Sequence, residues 1–130
     1  MSFALDLQRF ADTTQRRMSV IPRKVALELF RRVVMRTPID EGRARGNWQA
    51  GVGTPPAGET DSKGGSAAIE QIAAEVESWD AESIAIYLVN NVPYIVPLED
   101  GHSGQAPQGM VKISLAEFPD IVETMTREGE

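Results

Sequence analysis

The chain has 130 residues, no cysteine, one histidine, 42% hydrophobic residues and a formal net charge of −6. That length suits one domain around one core, and the lack of cysteine excludes disulfides and thiolate metal sites. No apolar run approaches the ~18 residues of a membrane helix. The opening MSFALDLQRFADTT lacks the basic n-region and long apolar core of a signal peptide, so a soluble cytosolic protein is expected. The charge is uneven: residues 1–45 hold ten Lys and Arg against five Asp and Glu, residues 46–130 three against fourteen. Such a split makes either two faces of one fold or complementary surfaces of neighbouring copies.

Residues 3–36 read as helix. Met18, Ile21, Val25, Leu29 and Val33 recur at spacings of three and four, with Asp12 or Thr13 as N-cap. Leu27, Phe30 and Val34 widen the stripe, so the second half is buried on more than one side. Pro22 fits the first turn of a main helix over 22–36, with a separate short helix in a 1–17 extension before it. Arg16, Arg17, Arg23, Lys24, Arg31, Arg32 and Arg36 cover what remains. That is a solvated face or, alternatively, a surface for nucleic acid.

Thr37-Pro38 ends this helix, and Ile39 to Gly42 is a turn. Trp48, Ala50 and Val52 then alternate with Asn47, Gln49 and Gly51, a strand over 46–53 with Trp48 on the buried face. Arg43 and Arg45 either pair with carboxylates or, beside an aromatic, stack on nucleic acid. Residues 53–66 are a flexible loop by composition. SAAIEQIAAEVESW, from Ser66, has helical spacing with a serine cap, though its β-branched residues leave a strand over 69–76 open. SIAIYLVNN, 83–91, is the clearest strand, and its near-continuous apolar character suits a central position.

Asn91 to Val111 is the stretch most committed to one geometry, holding three prolines, three glycines and the sole histidine. Proline fixes φ and glycine permits φ > 0, so Gly101, Gly104 and Gly109 read as hinge points, with Tyr94 and Leu98 pinning the turn to the core. Chemistry is hard to place there. Gly101-His102-Ser103-Gly104 lacks the glycine two residues after the serine that a nucleophile elbow needs. His102 cannot easily act as base for its own neighbour. Glu99-Asp100-Gly101 lacks the alternating ligands of a calcium loop, and no phosphate-binding glycine motif occurs. A small enzyme built on Glu99, Asp100 and His102 therefore has no assembled constellation, and neither a catalytic site nor a metal or other cofactor is expected. The last segment, from Gly109, is helical in spacing and is divided by Pro119.

Three blocks, TPIDEGRARGNW (37–48), NNVPYIVPLEDGHSGQAPQGMV (90–111) and LAEF (115–118), resemble the tail-completion, or head–tail joining, proteins of tailed bacteriophages and prophages. The matching positions are Thr37-Pro38-Ile39-Asp40, Gly42, Ala44-Arg45 and Trp48, then Asn90 or Asn91, Tyr94, Leu98-Glu99 and Gly101. Glu41 stands where a threonine is common, and the basic 1–17 extension is less typical. Together with flanking elements the likeness covers most of residues 18–127.

The resemblance implies a virion structural protein of the head–tail junction, not an enzyme. It implies a ring, often six-fold, of copies of itself between a capsid connector or head-completion protein and a tail tube or terminator protein. Genomic DNA would pass through the lumen without specific binding, and no membrane is involved. The expected fold is α+β: a small mixed or antiparallel sheet covered by a long N-terminal and a C-terminal helix, in one domain over 18–127. Core positions are Leu29, Trp48, Tyr94, Leu98 and Phe118. Candidate interface positions are Arg31, Arg32, Arg36, Arg43, Arg45, Glu99, Asp100, His102, Ser103 and Gln105. The competing expectation is a nucleic-acid module using Arg16, Arg17, Arg23, Lys24, Arg31, Arg32, Arg43 and Arg45.

Overall fold

A long helix, α1 (Val20–Arg36), is the spine of the structure, a computed structural model that describes residues 2–5, 20–39, 42–81 and 84–128. Ile21, Val25, Ala26, Leu29, Phe30, Val33 and Val34 are all buried, so the stripe spans two adjoining faces, as its width in sequence requires. Pro22 sits in the first turn, where its missing N–H had no helical partner to lose. The helix stops at Thr37. Its hydroxyl donates to Val33 O (2.7 Å) and its N–H to Val34 O (3.1 Å), while the Arg45 guanidinium donates to Met35 O (2.7 Å) and Thr37 O (3.1 Å). Carbonyls left without partners at a helix end are thereby satisfied, and Pro38 cannot continue the ladder.

One helical turn, α2 (Arg43–Gly46), leads into β2 (Trp48–Val52); α3 (Gly65–Ser78), β3 (Ile86–Asn90), α4 (Ile95–Glu99), α5 (Val111–Ala116) and α6 (Phe118–Glu128) follow. Helix α3 buries Ala68, Ile72 and Val76, which confirms helix over strand for 69–76. The expected serine cap is absent: Gly64 is the N-cap residue, no side chain caps the helix, and Ser66 lies inside it. Pro119 falls in the first turn of α6, and the chain breaks between α5 and α6 at Glu117, two residues before the proline where sequence put the division.

The sheet is antiparallel throughout, in the order β1-β3-β2, with β1 formed by Ser2–Leu5. Residues 3–5 are therefore strand rather than the start of a helix. The open edge of β3 supplies the hydrogen-bond partners that decide this, which local propensity cannot reveal. β1 meets the rest of the fold chiefly through β3. The expectations resting on Asp12, Thr13, Arg16, Arg17 and Met18, and the 40–41 part of the turn, lie outside the described residues. β3 is central, as its apolar run suggests, and pairs Trp48 with Asn90, Ala50 with Leu88 and Val52 with Ile86. These six residues share one face, from which Trp48, Ala50, Ile86 and Leu88 join the buried core. α1 lies against α3 and α6, and α3 lies against β2, so helices cover that face of the sheet. The long N-terminal helix and the C-terminal helix are both part of this cover, as expected.

Of the expected core positions, Leu29 and Trp48 are fully buried, and Leu98 and Phe118 are partly buried against the core. Tyr94 is not a core residue. It precedes α4 with 37% of its surface exposed, and the Arg43 guanidinium lies 5.6 Å from its ring centroid. Ile95, the next residue, occupies the core instead. The reason is the unforeseen helix α4, which rotates its side chains by the helical period where an extended turn would have alternated them.

Candidate functional site

The segments that follow α1 and β3 meet at one corner, and their polar side chains face one another. Trp48 Nε1–H donates to Thr37 Oγ1 at 2.7 Å, both fully buried. Asn90, also fully buried, donates through Nδ2 to Ala44 O at 2.8 Å and accepts from Val92 N–H at 3.2 Å. Gln105 pairs with both main-chain groups of Ile39: its Oε1 accepts from Ile39 N–H (2.9 Å) and its Nε2 donates to Ile39 O (3.3 Å). Each of these bonds spans at least eleven residues of chain, except the local Asn90–Val92 turn. For the buried Thr37, Trp48 and Asn90 this specifies one arrangement, because any other would strand a donor or acceptor away from water; the Gln105–Ile39 pair is exposed.

Glu99 belongs to the same corner, but not as an interface residue. It is buried, and its carboxylate accepts main-chain N–H groups from Met110, Val111 and Lys112, each at 2.9 Å. It thus ties the end of α4 to the start of α5. Gly109 makes this possible: its φ is +82°, and a Cβ there would lie 2.5 Å from Glu99 O and 2.7 Å from Glu99 Oε2. Gly101, at φ +88°, makes a similar close approach to Pro107 O. Gly104, expected as a third hinge, adopts no left-handed backbone and faces open space. Asp100 and His102 are exposed beside this turn, Asp100 lying 3.9 Å from Lys112 Nζ. Ser103 Oγ accepts from Gln105 N–H at 3.1 Å, which shapes the turn.

The corner opens outward as a groove of about 530 Å³ between Pro38, Ile39, Arg43, Tyr94, Leu98 and Gln105. Ile39 (53% exposed) and Tyr94 present apolar surface to it. A second groove of about 490 Å³ adjoins it across Gln105 and includes Arg36 and Arg45. Gln105, Ser103, Arg43 and Arg45 of the predicted interface are therefore brought together, with Asp100 and His102 on the same turn.

Arg31 and Arg32 lie elsewhere, along α1, while Arg36 at its end lines the second groove; all three are engaged within the subunit. Glu28 receives Arg32 Nε at 2.6 Å and Arg31 Nε at 3.3 Å. Glu117, in the break between α5 and α6, receives Arg32 Nη1 at 2.8 Å and a bidentate pair from Arg36 at 2.8 and 2.7 Å. The Arg36 hydrogen bonds, reinforced by Arg32 against a smaller opposing effect of burial, hold the Glu117 carboxyl down at about 2. Burial pushes the Glu28 carboxyl up, but hydrogen bonds from Arg32 and Arg31 outweigh it and the net direction is down. Arg43 pairs with Glu59, and burial lowers the pKa of Arg45, whose donors are taken by main-chain carbonyls. Sequence placed Arg31, Arg32 and Arg36 on one basic face, where the fold sets Glu28 and Glu117 among them. Arg43 meets a carboxylate, as one of its two expected readings had it, and Arg45 meets main chain instead.

The 53–64 segment has no regular structure but is closely held. Asn47 accepts from Thr60 N–H (2.7 Å) and donates to Thr60 O, while Gln49 and Asn91 both donate to Gly58 O at 2.9 Å. Sequence reading missed these anchors, and it missed Trp79, Gln71 and Glu117. Composition marks the segment as loop; nothing local marks the distant amides that hold it. Gln71 is a case in point: its side-chain amide bonds both N–H and C=O of Ala50 at 2.9 Å, as a neighbouring strand would. Neither family models, nor curated proteins, nor solved structures give a match to this chain.

Proposed function

We propose that this protein is a non-enzymatic structural component of a tailed-phage or prophage virion, forming a homo-oligomeric ring at the head–tail junction. In that role it joins the capsid connector to the tail tube and leaves a channel for DNA. The observation that carries the reading is that residues of the tail-completion pattern are tied into one corner. Thr37 bonds Trp48, Asn90 bonds Ala44, and Glu99 gathers three N–H groups under the turn that begins at Gly101. A set of blocks separated by some forty residues in sequence thus shares one structural purpose. That purpose is shape. His102 and Ser103 stand at its rim, where they suit contact with a neighbour better than catalysis.

Two further features support the reading. The α+β fold, an antiparallel sheet under a long helix and a C-terminal helix, is the one the resemblance implies. The groove beside Ile39 and Tyr94 offers mixed apolar and polar surface of the kind that subunit contacts use. The nucleic-acid reading loses ground, because Arg31, Arg32 and Arg43 of its proposed surface are paired with carboxylates of the same chain. Exposed acids such as Glu70, Glu77, Asp120 and Glu123 would repel phosphate.

Native mass spectrometry and negative-stain microscopy of the purified full chain test the proposal, with labelling of intact particles by a specific antibody. Closed rings and a label between head and tail are the expected result. Monomers at every concentration, with particles lacking the protein, would sink it. DNA affinity falling steeply with salt would favour the nucleic-acid module instead.

A further inference from the structure

We propose that β1 is the joint between subunits: in the ring, Ser2–Leu5 of each copy pairs with β3 of its neighbour. This deepens the ring reading above and rests on it. The two edges of the sheet are unlike. At the β2 edge, Gln71 occupies both main-chain groups of Ala50, and α3 packs along the strand. A strand from another copy cannot add there without displacing that amide. Continuing the sheet from one copy's β1 to the next copy's β2 is therefore closed. Pairing β1 with another β1 is two-fold and ends at a dimer, which does not generate a ring of more than two copies.

The position on β3 that β1 fills is the remaining backbone joint. β1 is four residues long, and it is held chiefly by its ladder with β3, in the register Ser2–Val89, Phe3–Leu88, Ala4–Tyr87 and Leu5–Ile86. Transfer to a neighbour breaks that ladder and re-forms it bond for bond, the reason strand exchange is a low-cost route to assembly. Donor and acceptor are different surfaces, so the contact runs head to tail and can close a ring.

The chain has no cysteine, so an engineered pair reports the joint without background. Ala4→Cys and Tyr87→Cys place thiols on facing residues of the ladder. Assembled full-length protein, oxidised and run on a non-reducing gel, should give covalent dimers when the two single variants are mixed. The double variant should give a ladder of linked subunits up to the complete ring. Rings whose double variant closes only within single chains overturn the exchanged strand and leave the ring reading standing. Dimers from Ala4→Cys alone overturn it in favour of β1-to-β1 pairing. If no ring forms under any condition, both proposals fall. Deleting residues 1–5 is the companion measurement. A monomer with its helical circular dichroism retained is expected, and rings that persist without β1 overturn the proposal.

Discussion

The two tryptophans are both fully buried, and both indole N–H groups are satisfied, but by different means. Trp48 donates to the hydroxyl of Thr37, which donates onward to Val33 O, so α1, its terminating residue and β2 are joined through side chains. Trp79 donates to Ile84 O at 2.6 Å, and its own carbonyl accepts from Arg23 Nε at 2.9 Å. Its indole partner is main chain, five residues away. The Trp48 indole therefore depends on the identity of a distant side chain, whereas the Trp79 indole depends on a main-chain carbonyl that any residue supplies. A corner specified in this way is harder to build by accident, and it is the corner whose outer surface carries the proposed interface.

Mutations can break that contrast in order of expected size. Trp48→Ala and Trp79→Ala should each cost about 3–5 kcal/mol in urea unfolding, since both remove a large, fully buried side chain. Unchanged stability in Trp48→Ala would contradict its place in the core. Thr37→Val should then separate the two ends. It keeps shape but strands the Trp48 N–H, for a loss of about 1–3 kcal/mol, and Thr37→Ser should recover much of it. No side-chain substitution has the same effect on Trp79, whose indole partner is a carbonyl.

A smaller effect concerns the arginine cluster that backs α1. Glu117 has a folded pKa of about 2, below the ~4.3 of an unfolded glutamate. Its contribution is therefore fully present above about pH 4.3 and is lost as pH falls toward 2. The group is partly exposed, so solvent screening should hold the difference to under about 1 kcal/mol. Comparing acid unfolding of wild type with Glu117→Gln isolates it from Glu28, which titrates in the same direction. An unaltered pH profile in that window would mean the Arg36 pair contributes nothing. Gln71→Ala should cost under about 1.5 kcal/mol in stability for the amide pair on Ala50. It should, however, raise concentration-dependent association measured by light scattering, because the β2 edge is uncovered. No change in association would argue that α3 alone protects that edge.

The arginines show how far sequence reasoning reaches. Their number and their position on α1 are plain from residues 23–36, and so is the helical stripe opposite them. That Glu117, more than eighty residues from Arg32, sits between Arg32 and Arg36 depends on α6 folding back along α1. Tyr94 makes the same point on a smaller scale. An apolar anchor before two prolines reads as core, but one unforeseen turn of helix at 95–99 moves it to the surface and puts Ile95 inside. Asn47 and Gln71 gave no signal, because a single amide has no periodicity; each acts on main chain brought to it by the fold.

By itself the sequence determined the long buried helix, a central strand within 83–91, the strand at Trp48 and a division near Pro119, and it favoured a helix from Ser66 without excluding a strand over 69–76. Each is a local matter of apolar period, β-branched content or a missing N–H. Only the tertiary structure decided that Ser2–Leu5 is a strand, that Glu99 is buried under three N–H groups, and that one edge of the sheet is closed while the other is held by four residues. Those outcomes depend on which distant main-chain groups lack partners once the core has formed, and no local pattern records that.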